Sequence, residues 1–350
     1  MIVLRYLLFP FAVLYGCVTS VRNWLYDIGI LKSYSFNIPI IAVGNLNVGG
    51  TGKTPQIEYL IRLLSPDYKV ATLSRGYKRK SSGFLLANTN TTAESLGDEP
   101  FQMHSKFPEI TIAVDADRKN GIEKLLSLPQ KPNVILLDDA FQHRRVKAGF
   151  YIVLTAFDDL FCDDLMLPTG MLREPRFGAK RADMIIVTKC PKDITELAIK
   201  KINERMMRFL VPRNDKVVQL YFSYIDYDDK VYNETTTQNV SEIKNTEKVL
   251  LAGIAKPKPF FDYLQSGKDE QLNYPDHHHF IDSDVQIITK KAANKVLITT
   301  EKDYVRLKHH AIRFLFYLPI KSNFISNSQT SQDQFDKNIL HYVGTSSGNR

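Results

Sequence analysis

Residues 44–54, Gly-Asn-Leu-Asn-Val-Gly-Gly-Thr-Gly-Lys-Thr, constrain this chain more than any other segment. They follow an apolar run, 38–43, and precede a helical pattern that starts near Lys53. Strand, glycine-rich turn and helix N-terminus in that order make a phosphate cradle. Glycines let successive backbone N–H groups curl around anionic oxygens, and the helix dipole favours negative charge. Lys53 supplies a point charge for β- and γ-phosphates, and the Thr54 hydroxyl suits Mg²⁺. The expected nucleotide-binding residues are Asn47, Val48, Gly49, Gly50, Thr51, Gly52, Lys53 and Thr54. Five residues before Gly52 such loops carry glycine; here it is Asn47, so the P-loop is a deviant one.

Short runs rich in Ile, Val and Leu recur at 69–74, 110–114, 134–137, 151–154 and 184–187. They lack polar alternation, as strands covered on both faces do, and amphipathic segments such as 56–64 and 120–126 lie between them. That order predicts an α/β fold, doubly wound around a mostly parallel sheet of P-loop type, with ligands at the carboxyl ends of the strands. The pattern changes near Pro212. The expected division is an N-terminal surface helix over 1–30, a nucleotide-binding domain over 31–212 and a smaller α/β domain over 213–340 that closes over the site. Residues 322–337, rich in Ser, Asn and Gln, read as loosely ordered.

A P-loop needs an acidic strand end for its metal. The run Val134-Ile135-Leu136-Leu137-Asp138-Asp139 supplies one: both carboxylates are metal candidates, with Asp138 the expected direct or water-mediated ligand and Asp139 the one that orients water or substrate. Asp98 and Glu99 sit at a turn before Pro100. Arg118 follows another strand end, Gln142 and His143 come directly after the Asp pair, and Arg173 adds charge near the next strand. Three successive histidines, His277, His278 and His279, cannot easily share one ion, because neighbours on an extended chain point to alternate faces.

The formal net charge of +8 favours anionic partners without choosing among them. Three scattered cysteines with no CxxC pair argue against a disulfide framework or a zinc site. The first residues are strongly apolar but hold Arg5 and Pro10. They are short for a span of ~20 residues and lack the leading charge of a secretory signal. Leu4, Leu7, Leu8, Phe11, Leu14, Tyr15 and Val18 keep helical spacing, which predicts an interfacial helix on an anionic membrane, with a helix packed on its own domain as the alternative.

Together the motifs resemble the tetraacyldisaccharide 4′-kinase family. The likeness runs through Leu14-Tyr15-Gly16, Val43-Gly44-Asn45, the phosphate loop, Ser74-Arg75-Gly76-Tyr77, Gly97-Asp98-Glu99-Pro100, Asp138-Asp139, Gln142-His143, Leu172-Arg173-Glu174, Asp276-His277 and Thr300-Glu301-Lys302-Asp303, in family order. The chain departs from the family at Ala140-Phe141, where Gly-Leu is usual, and around Arg118. The resemblance implies transfer of the γ-phosphate of ATP, with Mg²⁺, to the 4′-hydroxyl of a tetraacylated glucosamine disaccharide 1-phosphate, at the cytoplasmic face of the inner membrane. It implies Asp98 as general base paired with His277, Lys53 as a catalytic cation, and Glu99, Arg118, Gln142, His143 and Arg173 as nucleotide or acceptor contacts. The expected protein is a monomer that binds no nucleic acid, since no recognition helix or arginine-rich segment is present. A membrane-cycling P-loop switch ATPase of the partitioning type is the competing reading; it needs no Asp98–His277 pair.

Overall fold

The computed structural model describes residues 2–210, 218–276 and 278–347; His277 therefore lies outside the described residues. The expected strands form. With the short pair Leu85–Leu86, which was not among them, they are β1 (Ile40–Asn45), β2 (Val70–Ser74), β3 (Leu85–Leu86), β4 (Thr111–Val114), β5 (Val134–Asp138), β6 (Phe150–Ala156), β7 (Met184–Thr188) and β8 (Gln219–Tyr227). A second group comprises β9 (Lys230–Tyr232), β10 (Thr237–Asn239), β11 (Lys248–Ala252), β12 (Glu270–Asn273), β13 (Val296–Thr300) and β14 (Leu315–Leu318), and β15 (Ile320–Phe324) closes the series.

Among the described residues these strands make two sheets. The larger has the order β15-β8-β7-β6-β1-β5-β2-β4-β3, parallel except at its edges, where β3 runs against β4 and β15 against β8. The smaller has the order β10-β9-β14-β13-β11-β12. Successive residues of the central strands serve opposite faces of the large sheet. Ile41, Val43, Leu136 and Ile152 pack with Ile57, Leu60 and Ile61 of the helix Lys53–Leu64, the loop helix. Ile40, Ala42, Ile135 and Leu137 pack with Ile122 and Leu125 of the helix Arg118–Leu126 on the other face. Both faces are dry, so the strands are apolar at every position rather than alternating.

The division between the lobes falls elsewhere than at 213 and 340. Strands β8 and β15 belong to the large sheet, and the smaller lobe's sheet runs only from Lys230 to Leu318. Residues 322–337 are not loosely ordered. They contain the end of β15 and the start of the helix Gln332–Ser347. Phe335, Ile339 and Val343 recur every four residues and are fully buried against the large sheet. Phe335 stacks on Phe324, and the Tyr59 hydroxyl of the loop helix donates to Asp336 at 2.7 Å. Polar neighbours mask this stripe in composition, but three well-spaced apolar side chains suffice to dock a helix.

The N-terminal helix, Ile2–Asp27, reverses the usual amphipathic arrangement. Its inward face holds Ala12, Thr19 and Asn23, all buried, while Leu7, Phe11, Leu14, Val18, Val21 and Trp24 are exposed. Asn23 donates to Glu174 at 3.0 Å, Arg22 to the Gln142 carbonyl at 2.6 Å and the Tyr15 hydroxyl to the Arg173 carbonyl at 3.1 Å. Polar contacts thus fasten the helix to the body and its apolar residues face outward. Among the described residues no helix is long and apolar enough to cross a membrane.

A buried charge cluster joins the lobes. Lys106, on the last turn of the helix Asp98–Lys106, reaches Glu58 of the loop helix at 2.8 Å and Glu301 of the smaller lobe at 2.7 Å. Two buried carboxylates share one ammonium. Burial and the neighbouring Glu58 push the Glu301 carboxyl up to about 7. Folded protein keeps that proton at pH values where the unfolded chain has released it, so the stability it contributes is complete below about 4.5 and declines as pH rises to about 7. Thermal melts between pH 5 and 8 test this. The Tm of Glu301→Gln relative to the unaltered protein should climb through that window. Parallel curves would show that Glu301 is ionised throughout.

Candidate active site

The crevice lies where β1 separates β5 from β6, at the carboxyl edge of the large sheet. The phosphate loop leaves β1 and enters the loop helix at Lys53. Gly49 and Gly52 adopt positive φ, 129° and 82°, which a side chain resists. The segment 171–173 braces the loop from outside. The Val48 N–H donates to the Met171 carbonyl at 2.7 Å, and the Arg173 N–H donates to the Leu46 carbonyl at 2.8 Å. Thr188 at the end of β7 holds the Thr51 carbonyl at 2.7 Å, and the next residue, Lys189, donates to the Gly50 carbonyl at 2.5 Å. Asn47 is buried and bridges to Asp164 at 3.1 Å, so an amide stands where other such loops use glycine. Val48 and Gly50 are exposed, whereas Thr51 is buried and Thr54 half-buried.

Lys53 is shared between the Asn45 side-chain carbonyl at 3.2 Å and Asp139 at 3.5 Å. Arg173 meets the same two groups, Asn45 at 2.9 Å and Asp139 at 3.2 Å. Burial alone would raise the Asp139 carboxyl, but Lys53 and Arg173 outweigh it and hold it below the usual carboxylate range. Asp139 also has a positive φ of 47°, a strained conformation for a residue with a side chain. Close packing imposes it. A Cβ on Gly44 would come within 2.7 Å of the Phe141 Cβ, so the turn after β5 lies directly on β1.

Asp138 behaves oppositely. It is buried, and its Oδ1 has no hydrogen-bond partner among the described residues. Burial first, then the nearby Glu99 carboxylate, push it up to about 7 despite Lys53 and Arg118. A buried carboxylate oxygen without a donor is a fitting cation ligand, since an orphaned acceptor otherwise costs ~1–3 kcal/mol.

Asp98 and Glu99 open the helix Asp98–Lys106 behind Gly97. Both are half-buried. Asp98 is met from the other lobe by Arg306, on the helix Glu301–Leu307, whose Nη2 and Nε both donate to its Oδ2, the latter at 3.2 Å. Arg306 was not among the residues expected from sequence. Its signal is slight: a basic residue on the helix that carries the Glu301-Lys302-Asp303 motif. His278 donates to Asp284 at 2.9 Å and packs against Tyr274 and Phe280, a local structural role.

Two of the expected contact residues, Arg118 and Gln142, are engaged in holding the backbone. Arg118 is buried, donating to the Asp115 carbonyl at 2.6 Å and the Asp138 carbonyl at 2.9 Å; burial pulls its guanidinium down to about 10. Gln142 donates to the Asn45 carbonyl at 2.8 Å and to Glu174 at 2.9 Å. His143 is held to about 4 by burial and by Arg118, so its ring is neutral near pH 7, and its Nε2 is buried with no partner among the described residues. Arg118→Met would orphan two strand-end carbonyls. It should lower unfolding free energy in urea by about 2–4 kcal/mol. A raised KM with unchanged stability would instead mark Arg118 as a direct ligand contact.

A family model described as tetraacyldisaccharide-1-P 4′-kinase matches residues 4–340. The tetraacyldisaccharide 4′-kinase of Flavobacterium psychrophilum is 63% identical over 347 residues, which span 99% of each chain. That of Bacteroides thetaiotaomicron is 45% identical over 360 residues, covering 96% of this chain and 92% of its own. Among solved structures, LpxK from Aquifex aeolicus in complex with ATP aligns with a TM-score of 0.76 at 29% identity, covering 97% of this chain and 99% of that one. Fold, phosphate loop and full-length similarity agree: this chain belongs to the tetraacyldisaccharide 4′-kinase family.

Proposed function

We propose that this enzyme binds ATP in the loop 47–54 and transfers its γ-phosphate directly to the 4′-hydroxyl of a tetraacylated disaccharide 1-phosphate. By family the chain is a kinase of lipid A biosynthesis that uses ATP. The observation that carries the mechanism is the convergence of Lys53, Asp138, Asp139 and Arg173 on one glycine-lined strand end, with Glu99 close enough to raise Asp138.

A phosphoryl group passes through a transition state with little covalent help from the protein, so catalysis rests on positioning and charge. Lys53 and Arg173 carry the positive charge that faces the phosphates, and Asp139 with Asn45 keeps both side chains aimed. Asp138 and the Thr54 hydroxyl would hold Mg²⁺, for which the orphaned Asp138 Oδ1 is a fitting ligand. When bound, the cation neutralises charge on the transferring group. Asp98 accepts the proton of the sugar hydroxyl as the bond to phosphorus forms, and His277 orients it. The apolar outer face of the N-terminal helix supports attachment to the anionic cytoplasmic surface of the inner membrane, where a tetraacylated acceptor resides. We read the working enzyme as a monomer.

Transfer of label from γ-labelled ATP to the acylated disaccharide tests the reaction. Asp98→Ala should lower turnover roughly 10²- to 10⁴-fold while ATP affinity stays within about twofold. Unchanged turnover would remove Asp98 from the mechanism. The metal role has its own readout. A cation competes with the Asp138 proton, whose pKa is about 7. Binding of Mn²⁺ with ADP, followed by electron paramagnetic resonance, should tighten about tenfold from pH 6 to pH 8. Asp138→Asn should flatten that dependence; a slope that survives the substitution assigns the proton to another group.

A further inference from the structure

We propose that Arg306 of the smaller lobe is a positioning residue for Asp98, holding the carboxylate in the one orientation that can receive the acceptor's proton. The proposal rests on Asp98 being the general base.

The helix Glu301–Leu307 of the smaller lobe is tied to the helix Asp98–Lys106 at both ends. Asp98 opens its helix and meets Arg306 on the last turn of the other. Lys106 closes its helix and meets Glu301, the first residue of the other, at 2.7 Å. The two helices therefore run antiparallel, with an acid at each N-terminus and a base on each last turn. Each charge suits its own helix dipole as well as its partner. Two such ties fix the sliding and rotation of one helix against the other, which one alone would leave free.

Arg306 is itself fixed. Its side chain is only 9% exposed, and its Nη1 lies 3.4 Å from Asp303, which is fully buried. Asp303 in turn accepts from the Gly253 N–H at 2.8 Å and the Thr300 hydroxyl at 2.7 Å. The guanidinium is thus anchored in the smaller lobe before it reaches across. Its Nε and Nη2 both fall on the same Asp98 oxygen, Oδ2, which fixes the oxygen engaged and pins it against the smaller lobe. A lysine at this position would keep a charge but lose the planar two-nitrogen hold. The geometry also couples the lobes to chemistry: Arg306 reaches Asp98 only while the helix Glu301–Leu307 is docked.

Steady-state phosphoryl transfer separates the possibilities, using full-length protein, ATP and the acylated disaccharide 1-phosphate, with Asp98→Ala, Arg306→Gln, Arg306→Lys and the Asp98→Ala/Arg306→Gln double variant. Arg306→Gln should lower kcat about 10- to 100-fold with the KM for ATP within about twofold, and Arg306→Lys should recover part of that loss. The double variant should be no slower than Asp98→Ala alone, because a residue acting through Asp98 has nothing left to orient. An Arg306→Gln variant with a wild-type kcat, beside an inactive Asp98→Ala, overturns the proposal and leaves the base assignment standing. A double variant slowed by the full product of the two single losses also overturns it. Wild-type turnover by Asp98→Ala removes the base assignment and this proposal with it. Should Arg306→Gln fail to fold, the same comparison with Arg306→Lys decides, since charge and most of the packing are kept.

Discussion

The ammonium of Lys53, divided between Asn45 and Asp139, is the contact on which the rest of the site turns. It links the strand that begins the phosphate loop, the helix that ends it and the turn after β5. Arg173 repeats the same connection from outside, so two cations and one carboxylate are held in a fixed array before any ligand arrives. Preorganised charge of this kind needs no rearrangement when charge develops on a phosphoryl group. The strained backbone of Asp139 belongs to this arrangement, since a wider turn would lift its carboxylate from both cations.

The adjacent carboxylates Asp138 and Asp139 show how one dipeptide serves two purposes. Asp138 is buried and Asp139 half-buried, and they titrate in opposite directions. Asp139 is flanked by Lys53 and Arg173 and stays charged, whereas Asp138 faces Glu99 and lacks a donor on Oδ1 among the described residues. Environment thus holds one of two chemically identical groups charged and pushes the other toward its neutral form.

Much of the fold was legible because parallel strands buried on both faces carry uninterrupted apolar runs; β1, β2, β4, β5, β6 and β7 are all visible that way. The terminal helix was not, because Phe335, Ile339 and Val343 are diluted by Ser, Asn and Gln. Nor was the return of β8 and β15 to the large sheet, since pairing between distant segments leaves no local pattern. At the site, Lys53 and the Asp pair were legible from chain order. Arg118 and Gln142 were named for contacts, but both are occupied with strand-end and loop carbonyls, a role that depends on which backbone atoms lie nearby.

Sequence alone determined the phosphate loop and its strand-to-helix setting, because those are local and rest on glycine, lysine and threonine at fixed offsets. It also determined the family, through motifs spread along most of the chain. Tertiary structure decided which charges meet. Arg306 reaches Asp98 across 208 positions, and Lys106 reaches Glu301 across 195. No spacing rule encodes such pairs, because they exist only where the two sheets pack together and bring one helix from each side by side.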